Sequence, residues 1–297
     1  GAMSEYHHIE VRPLTPHLGA EIFGIDLARV SAASMAEIHT AFARHSVLVF
    51  RDQDLTRDQH KAFGLQFGAL HVHPSHRLRA DANPDIDPEI FHIKTTPDTR
   101  HANGEAWHTD LSCEPRPPLG SLLYVRTLPG DSGGDTLFAN LSLAYDALSE
   151  PIKRLLAPLT AFHDGRKDLR AYNVHLRQDQ DYPAATHPVV TRHPNTGLPV
   201  LYVNRSFTES IDGLRPGESA ALLEMLWRHV DNNPRFHARV RWQPGTLTLW
   251  DNRNTWHHAV WDYYPATRIA ERVTIAADSA PEAFSSSQTM HHETPFS

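Results

Sequence analysis

Apolar residues near the start of the chain follow two kinds of spacing. Between residues 35 and 42 they recur every three or four positions, after a capping-box pattern that starts at Ser34, and this combination predicts a helix. Four consecutive apolar residues at 47–50 predict a buried strand. A second capping-box pattern starts at Thr56 and predicts another helix that ends near Gly68. We therefore expect two capped helices with a buried strand between them.

Short strands dominate the chain beyond residue 120. Apolar runs separated by turn residues, such as the Pro-Asn-Thr-Gly sequence at 194–197, predict strands at 122–125, 187–192, 198–203, 240–242, 246–250, 257–261 and 269–276. Helical spacing interrupts these strands at about 141–159 and 217–230. Helices followed by many short strands predict a mainly β fold, a jelly roll or barrel with helical buttresses.

The chain is expected to form a single domain with inserted loops and helices. We predict a leader or tag at 1–7, a domain at 8–278 and a Ser-rich tail at 279–297. Residues 74–106 are rich in Pro, Asp and Asn, with one strand expected near 90–93. A loop of this length is typical of a functional lid or of a disordered segment.

Composition and charge narrow the classes of function. The 28 Lys and Arg residues against 35 Asp and Glu give a net charge of −7, which argues against a broad nucleic-acid surface. No stretch of 18 apolar residues predicts a membrane span. A single cysteine, Cys113, leaves neither an internal disulfide nor a Cys-based zinc cluster. These features favour a cytoplasmic protein whose partner is a small molecule.

Two metal-ligating side chains stand close together in the sequence at His108 and Asp110. In a strand, residues two apart point to the same face, so the imidazole and the carboxylate would lie side by side. They would supply two of the three ligands of a two-His, one-carboxylate site, which leaves open positions on Fe(II). Taken alone, the His-x-Asp pattern is weak evidence for a metal site, and it is more often a turn in which Asp110 caps a backbone group.

A second group of candidate residues lies far along the chain. His257 and His258 follow a strong predicted strand, and Arg268 and Arg272 come 11 and 15 residues after His257. A jelly roll closes distant strands around a cavity, so one of these histidines could be the third ligand. An arginine on the next strand could bind a carboxylate through two hydrogen bonds. Alternatively, His257 and Arg268 are surface residues of a hairpin.

With several further motifs, these residues resemble the Fe(II)/2-oxoglutarate-dependent dioxygenases of the taurine dioxygenase (TauD/TfdA) type. The motifs follow the family order across about residues 8–277, and the combination is far more specific than any one of them. They lie at 67–74, 107–110, 133–138, 187–190, 201–204 and 250–253 and at the two arginines. The resemblance implies a double-stranded β-helix, with Fe(II), 2-oxoglutarate and O2 as cofactor and cosubstrates.

The resemblance also implies a role for each matching residue. His108, Asp110 and His257 would bind the iron and form the catalytic centre. His257 is preferred to His258 because neighbours on a strand point to opposite faces and the family register selects the first. Thr136 and Arg268 would bind the distal carboxylate of 2-oxoglutarate. The residues implied to contact the substrate are His73, Leu111, Phe207 and Arg272.

Three positions depart from the family pattern around the substrate. His76 stands in place of a tyrosine, Gly104 in place of an asparagine, although Asn103 is adjacent, and Gly165 in place of a phenylalanine. Losing the ring at Gly165 predicts a larger pocket. We therefore expect a small anionic substrate longer than taurine, either an organosulfonate, an alkyl sulfate or a carboxylate. Hydroxylation of its aliphatic carbon would yield succinate and CO2 as coproducts.

Two other functions stay open from the sequence. A zinc-dependent hydrolase could use the same His-Asp-His set. Such a hydrolase has no need for Thr136 and Arg268 opposite the metal. A non-catalytic jelly-roll binding module would tolerate loss of the ligands and arginines, which are all present. A homo-oligomer is compatible with the sequence.

Overall fold

The computed structural model describes residues 5–74, 86–100, 102, 104–130, 132–171 and 181–285. Within these ranges the strands are β1 (Glu10–Pro13), β2 (Ala20–Phe23), β3 (Val47–Phe50), β4 (Ile90–Thr95), β5 (Gly120–Thr127), β6 (Thr136–Asn140), β7 (Thr160–Asp164), β8 (Ala184–Pro188), β9 (Val190–Arg192), β10 (Pro199–Leu201), β11 (Thr208–Ile211), β12 (His237–Val240), β13 (Leu247–Asp251), β14 (Thr255–Ala259) and β15 (Arg268–Ile275). The α-helices in the same ranges are α1 (Ala32–His45), α2 (Arg57–Leu65), α3 (Leu141–Asp146), α4 (Glu150–Leu156), α5 (Gly165–Ala171) and α6 (Pro216–Asp231).

Two facing sheets form the centre of the fold. The larger sheet has seven strands in the order β1-β2-β3-β13-β5-β15-β4, and the smaller has the order β12-β6-β14. Val49 and Val125 from the large sheet pack with Phe138 and Val240 from the small sheet in one buried cluster. This arrangement confirms the mainly β fold class and the jelly roll. Strands β14 and β15 belong to these two different sheets, so side chains from both can meet between the sheets.

Helices α1 and α2 support the outer face of the large sheet. Ile38 and Phe42 of α1 and Phe63 of α2 pack against Leu48 and Leu122 of the sheet. The predicted helical buttresses are therefore confirmed.

The two helix starts differ in how well the sequence predicted them. At α2, the Thr56 side chain accepts a bond from the backbone N–H of Gln59, and the Gln59 side chain completes the capping box. At α1, the predicted cap at Ser34 is wrong. Ser31 is the N-cap, with an extended backbone, and its hydroxyl oxygen accepts from the backbone N–H of Ser34. Both serines fit a capping pattern, and only the backbone conformation distinguishes them.

A second layer of structure lies beside the jelly roll. Strands β11, β7 and β8 form a three-stranded sheet, and β9 pairs with β10 across the predicted turn at 194–197. The strand predicted at 187–192 is divided, because β8 pairs with β7 and β9 pairs with β10. Helices α3 and α6 pack on this layer through a buried cluster that includes Leu143 and Leu226.

The predicted domain boundaries stay predictions. Residues 1–4 and 286–297, at the two predicted tails, lie outside the described residues, and so do residues 75–85, 101 and 103 of the predicted lid. The strand expected near 90–93 is present as β4. No helix in the described ranges is both long and apolar enough to cross a membrane.

Candidate active site

The loop that carries His108 and Asp110 lies against strand β14, which carries His257. His108 and His257 form a single antiparallel bridge, in which each backbone N–H donates to the other residue's carbonyl oxygen, at 3.0 and 2.9 Å. The chain then turns, and Leu111 has a positive φ of 48°. The strand predicted across His108 and Asp110 is therefore wrong, because the loop makes only one bridge before it turns away.

Asn252 fixes the position of Asp110. Its side-chain Oδ1 accepts from the backbone N–H of Asp110 at 2.8 Å. Its Nδ2 donates to the carbonyl oxygens of Asp110 and Pro118, at 2.8 and 3.1 Å. Because Asn252 lies in the turn between β13 and β14, it ties the loop of Asp110 to the hairpin that carries His257. This long-range clamp replaces the strand geometry that the sequence predicted.

The three predicted ligands converge in the interior. His108 Nε2 lies 3.2 Å from Asp110 Oδ1, and His257 Nε2 lies 3.6 Å from the same oxygen. The three side chains are buried, and one ligand atom from each lies within 4.8 Å of the others. His258 points elsewhere: its ring packs edge-on against Trp107, at a centroid distance of 5.5 Å.

The pKa values of this group reflect strong burial and close charges. Burial alone would lower the pKa of His108, but the hydrogen bond and charge of Asp110 raise it overall. Burial lowers the pKa of His257 to about 3, although Asp110 opposes this shift. For Asp110, burial raises the pKa, but His257, Arg272 and His108 together hold it well below its usual range. The carboxylate is therefore charged at neutral pH, and His257 is neutral, as a metal ligand must be.

The donor set fits a divalent metal. The Nδ1 atom of His108 lies 2.7 Å from the carbonyl oxygen of Ala106. A carbonyl can only accept, so Nδ1 carries the hydrogen in this bond and Nε2 is left to face the cluster. Such a backbone contact is typical of a metal-binding histidine. Two imidazole nitrogens and one carboxylate oxygen are the set that non-haem Fe(II) sites use.

Arg272 lies beside this cluster. Its Nη1 donates to Asp110 Oδ2 at 3.3 Å, so the two oxygens of the carboxylate face different partners. The guanidinium lies over the ring of Phe91 at 5.0 Å, and that ring packs against His73 at 5.1 Å. The Nε of Arg272 is buried with no hydrogen-bond partner in the described structure. His73 and Arg272 are thus brought together through Phe91, a residue that the sequence analysis did not identify.

Thr136 and Arg268 meet in a second buried pocket. The guanidinium of Arg268 lies over the Trp242 ring at 5.6 Å, and Trp242 Nε1 donates to Thr136 Oγ1 at 3.0 Å. Since indole N–H can only donate, the Thr136 oxygen accepts this bond and its hydroxyl hydrogen can be donated elsewhere. Arg268 is 6% exposed, and its Nε has no partner among the described residues. A buried cation with an unused donor is costly unless an anion satisfies it.

A tight loop closes the pocket of Arg268. Gly134 has a φ of 77°, and a Cβ there would lie 3.2 Å from Arg268 Cδ and from Tyr263 Cε1. Its backbone N–H donates to Asp262 Oδ1 at 2.8 Å, and the Tyr263 hydroxyl lies 2.7 Å from Thr95 Oγ1. Glycine is thus required both for the backbone conformation and for the close approach of the arginine. The sequence analysis identified residues 133–138 as a family motif but did not identify Tyr263.

Leu111 and Phe207 lie together in a small apolar cluster that also contains Cys113. The larger pocket predicted from Gly165 is wrong at that position. A Cβ on Gly165 would lie 2.4 Å from two ring atoms of Tyr182, so the tyrosine already fills this space. Of the other two departures, His76 lies outside the described residues, as does Asn103, and a Cβ on Gly104 would lie 3.4 Å from His108 Cε1.

The sequence analysis also missed an acidic residue near the cluster. Asp168 lies on α5, one turn after Gly165 and on the same helix face. Burial raises the pKa of Asp168; the charge of His108 lowers it and that of Asp110 raises it further. Its side chain is half-buried. The His-x-Asp motif gave no signal for this residue, because α5 reaches the site only through the tertiary fold.

The Asn252 clamp leads to a first prediction. Asn252→Ala leaves one buried N–H and two carbonyl groups without their partner, so Asp110 loses its fixed position. We expect metal affinity, measured by competition with a chelator, to fall about 10- to 100-fold, the usual effect of losing a group that orients a ligand. Unfolding free energy should also fall, by about 1–3 kcal/mol.

Asn232→Ala is the matched control, because Asn232 is exposed after α6. It should change neither metal affinity nor stability. Circular dichroism on Asn252→Ala establishes that the folded protein is being measured. Unchanged metal affinity in folded Asn252→Ala would show that Asp110 does not need the clamp.

One family model and several proteins of known name match most of this chain. The family model described as "Taurine catabolism dioxygenase TauD, TfdA family" matches residues 10–274. The alpha-ketoglutarate-dependent sulfonate dioxygenase of Saccharomyces cerevisiae is 33% identical over 287 residues, which cover 92% of this chain and 68% of that protein. The alpha-ketoglutarate-dependent sulfate ester dioxygenase of Pseudomonas putida is 32% identical, with 91% of this chain and 90% of that protein covered.

Solved structures agree with these sequence comparisons. The crystal structure of a taurine dioxygenase from Burkholderia xenovorans superposes with a TM-score of 0.76 and 37% sequence identity. The superposition covers 93% of this chain and 91% of that one.

Proposed function

This chain belongs to the TauD, TfdA family of taurine catabolism dioxygenases, and from this premise we propose that it hydroxylates small organic anions at a centre of His108, Asp110 and His257 that binds one Fe(II). It is an oxidoreductase that depends on 2-oxoglutarate (alpha-ketoglutarate) and O2. One observation carries the assignment of the site: two imidazole nitrogens and a carboxylate oxygen converge in a buried space beside Arg272. Among the described residues, no other group of histidine, cysteine and acidic side chains has this geometry.

The protein's own residues would position the reactants. When bound, Fe(II) would supply the activation of O2 and the oxidative decarboxylation of 2-oxoglutarate. One oxygen atom of O2 enters succinate, the other enters the hydroxylated product, and CO2 leaves. Arg272 occupies Oδ2 of Asp110, which leaves Oδ1 to the two imidazoles and the metal. It would thereby keep Oδ1 of Asp110 turned towards the two imidazoles that would hold the metal.

The pocket of Arg268 would hold the distal carboxylate of 2-oxoglutarate. The guanidinium offers two parallel donors for a carboxylate, and the Thr136 hydroxyl, fixed by Trp242, offers a third. Trp242 and Tyr263 exclude water from this end of the cosubstrate, which strengthens the ion pair.

The substrate would bind on the side of the centre where Arg272 and His73 lie. An arginine and an imidazole that both contact the ring of Phe91 favour a single anionic head group, a sulfonate, sulfate ester or carboxylate. Leu111 and Phe207 would contact the carbon chain. Where the hydroxylated carbon also bears a heteroatom, the product would break down and release the anionic group.

Two alternatives carry less support. A zinc hydrolase would need only the three ligands and a water, and it leaves the buried, unpaired Nε of Arg268 unexplained. A binding module without catalysis does not require the three ligand atoms to converge. The oligomeric state and the cellular compartment stay predictions.

A substrate panel tests the proposed function. Purified protein with Fe(II), ascorbate and 2-oxoglutarate is incubated in air with sulfonates, alkyl sulfates and carboxylates, and also with neutral alcohols and quaternary amines. Succinate release should rise only with the anions. In Arg272→Ala, substrate-stimulated release should fall by about 30-fold or more, because a buried charged partner is removed.

Arg44→Ala is the matched control, since Arg44 is exposed on α1 and forms a surface ion pair with Glu5. It should keep the wild-type rate. Tightest binding by a neutral or cationic compound would contradict an anionic head group. Hydrolysis of a panel compound with Zn(II) and without succinate would favour the hydrolase instead.

A further inference from the structure

The apolar wall beside Asp110 includes an aromatic ring that comes from a distant part of the chain. Leu111, Cys113 and Phe207 form one buried cluster, and Leu111 directly follows the ligand Asp110. Tyr182 lies just before β8 in the chain, and its ring packs against Gly165, next to Cys113 of this cluster. Its side chain is 7% exposed.

Gly165 and Tyr182 are tightly matched in shape. A Cβ on Gly165 would lie 2.4 Å from both Cδ1 and Cε1 of Tyr182, and 3.1 Å from Cys113 Sγ. No real Cβ can approach ring atoms that closely, so even alanine at this position requires Tyr182 to move. The φ of Gly165 is not in the left-handed region, so its backbone does not require glycine. Glycine is required at this position because a larger residue would occupy the space of the tyrosine ring.

The backbone explains why the two residues meet. Strands β7 and β8 pair from Thr160–Pro188 to Asp164–Ala184. The N–H of Gly165 donates to the carbonyl oxygen of Pro183 at 3.0 Å and extends this pairing by one step. Tyr182 directly precedes Pro183, so this bond holds the tyrosine close to Gly165.

We propose that Tyr182, seated on Gly165, is a specificity-determining residue that limits the length of the substrate's carbon chain. This inference rests on the proposed function. Arg272 binds the anionic head beside Asp110, and the carbon chain runs along Leu111 and Phe207 towards the tyrosine ring. The preferred substrates are therefore short organic anions, and the ring blocks the space that a longer chain would need.

A homologous series of alkyl sulfonates tests this. Affinity for the wild-type protein should rise with chain length and then drop where the chain reaches Tyr182. In Tyr182→Ala the drop should move to longer chains, with binding about fourfold tighter for each added methylene in the opened space. Calorimetry on the protein with 2-oxoglutarate measures affinity, and succinate release measures turnover.

Two further variants and a control separate specificity from stability. Tyr182→Phe keeps the ring and should keep the wild-type chain-length limit. Gly165→Ala displaces the ring and should lower the free energy of unfolding. This loss of stability should largely disappear in the Gly165→Ala, Tyr182→Ala double variant, a coupling that independent sites do not show. Tyr264→Ala removes a tyrosine that is 59% exposed and should change nothing.

Each result supports or overturns the inference. An unchanged chain-length limit in folded Tyr182→Ala, together with turnover by the wild-type protein, would overturn the role of Tyr182 alone. Absence of turnover and of binding by the wild-type protein with every anion would overturn the proposed function instead. If Tyr182→Ala does not fold, a shifted limit in Tyr182→Leu still supports the inference, and an unshifted limit overturns it.

Discussion

Fe(II) binding should be lost when His257 is replaced by alanine and retained when its neighbour His258 is replaced. His257 Nε2 lies 3.6 Å from Asp110 Oδ1, within the group of converging ligand atoms. The His258 ring packs against Trp107 instead. Loss of a group that only orients a ligand costs about 10- to 100-fold in metal affinity, so loss of the ligand itself should exceed about 100-fold.

The measurement is the visible charge-transfer absorption that forms when Fe(II) and 2-oxoglutarate are added without O2. His258→Ala serves as the matched control, because it removes the same side chain one position along the same strand. Circular dichroism checks that both variants fold, because the buried His257 ring packs against Trp250 at a centroid distance of 4.9 Å. Absorption that persists in His257→Ala but disappears in His258→Ala would show that the register is wrong.

The sequence predicted which three side chains converge better than it predicted the backbone that carries them. His108 and Asp110 are close in the sequence, so almost any compact conformation keeps them near each other. The predicted strand was wrong because the turn at Leu111 depends on Asn252, which is 142 residues away from Asp110 in the chain. Local spacing contains no information about such a bond. The pattern of two histidines and one carboxylate nevertheless led to the correct family.

Residues that line the pockets were harder to predict than residues that carry the chemistry. Phe91 reaches Arg272 because β4 pairs with β15, and neither strand's partner can be deduced from its own sequence. Trp242 reaches Thr136 because the end of β12 lies beside the start of β6. Aromatic residues in such places follow ordinary strand patterns, so nothing in the sequence marks them as pocket residues.

The position of Gly165 shows why a single substitution can mislead. A missing side chain predicts a cavity only if no other residue fills the space. Here Tyr182, 17 positions along the chain, occupies it, and the two residues form one packed unit. The volume of a pocket is therefore a property of the whole wall, and interiors are packed densely enough that such replacements are the usual outcome.

The affinity for 2-oxoglutarate should depend most strongly on Arg268. Arg268→Ala removes a buried cation whose Nε has no partner among the described residues and whose guanidinium lies on Trp242. Removing one member of a buried, hydrogen-bonded charge pair typically costs about 2–5 kcal/mol, which corresponds to an increase of about 30- to 5,000-fold in the KM for 2-oxoglutarate. Succinate release at varied 2-oxoglutarate and saturating substrate measures this change.

A graded series of variants identifies the contact behind the effect. Arg268→Lys keeps the charge but loses the paired donors, so its KM should lie between those of the wild-type protein and Arg268→Ala. Thr136→Val removes one hydroxyl donor and leaves the Trp242 N–H without its acceptor, for an increase of about 5- to 150-fold. Arg12→Ala, at an exposed arginine, should have no effect. The metal centre is intact in all four variants, so kcat at saturating 2-oxoglutarate should change much less than KM. An unchanged KM in Arg268→Ala would contradict the assignment of this pocket, because no other buried arginine in the described structure combines an unpaired donor with a hydroxyl fixed in the same way.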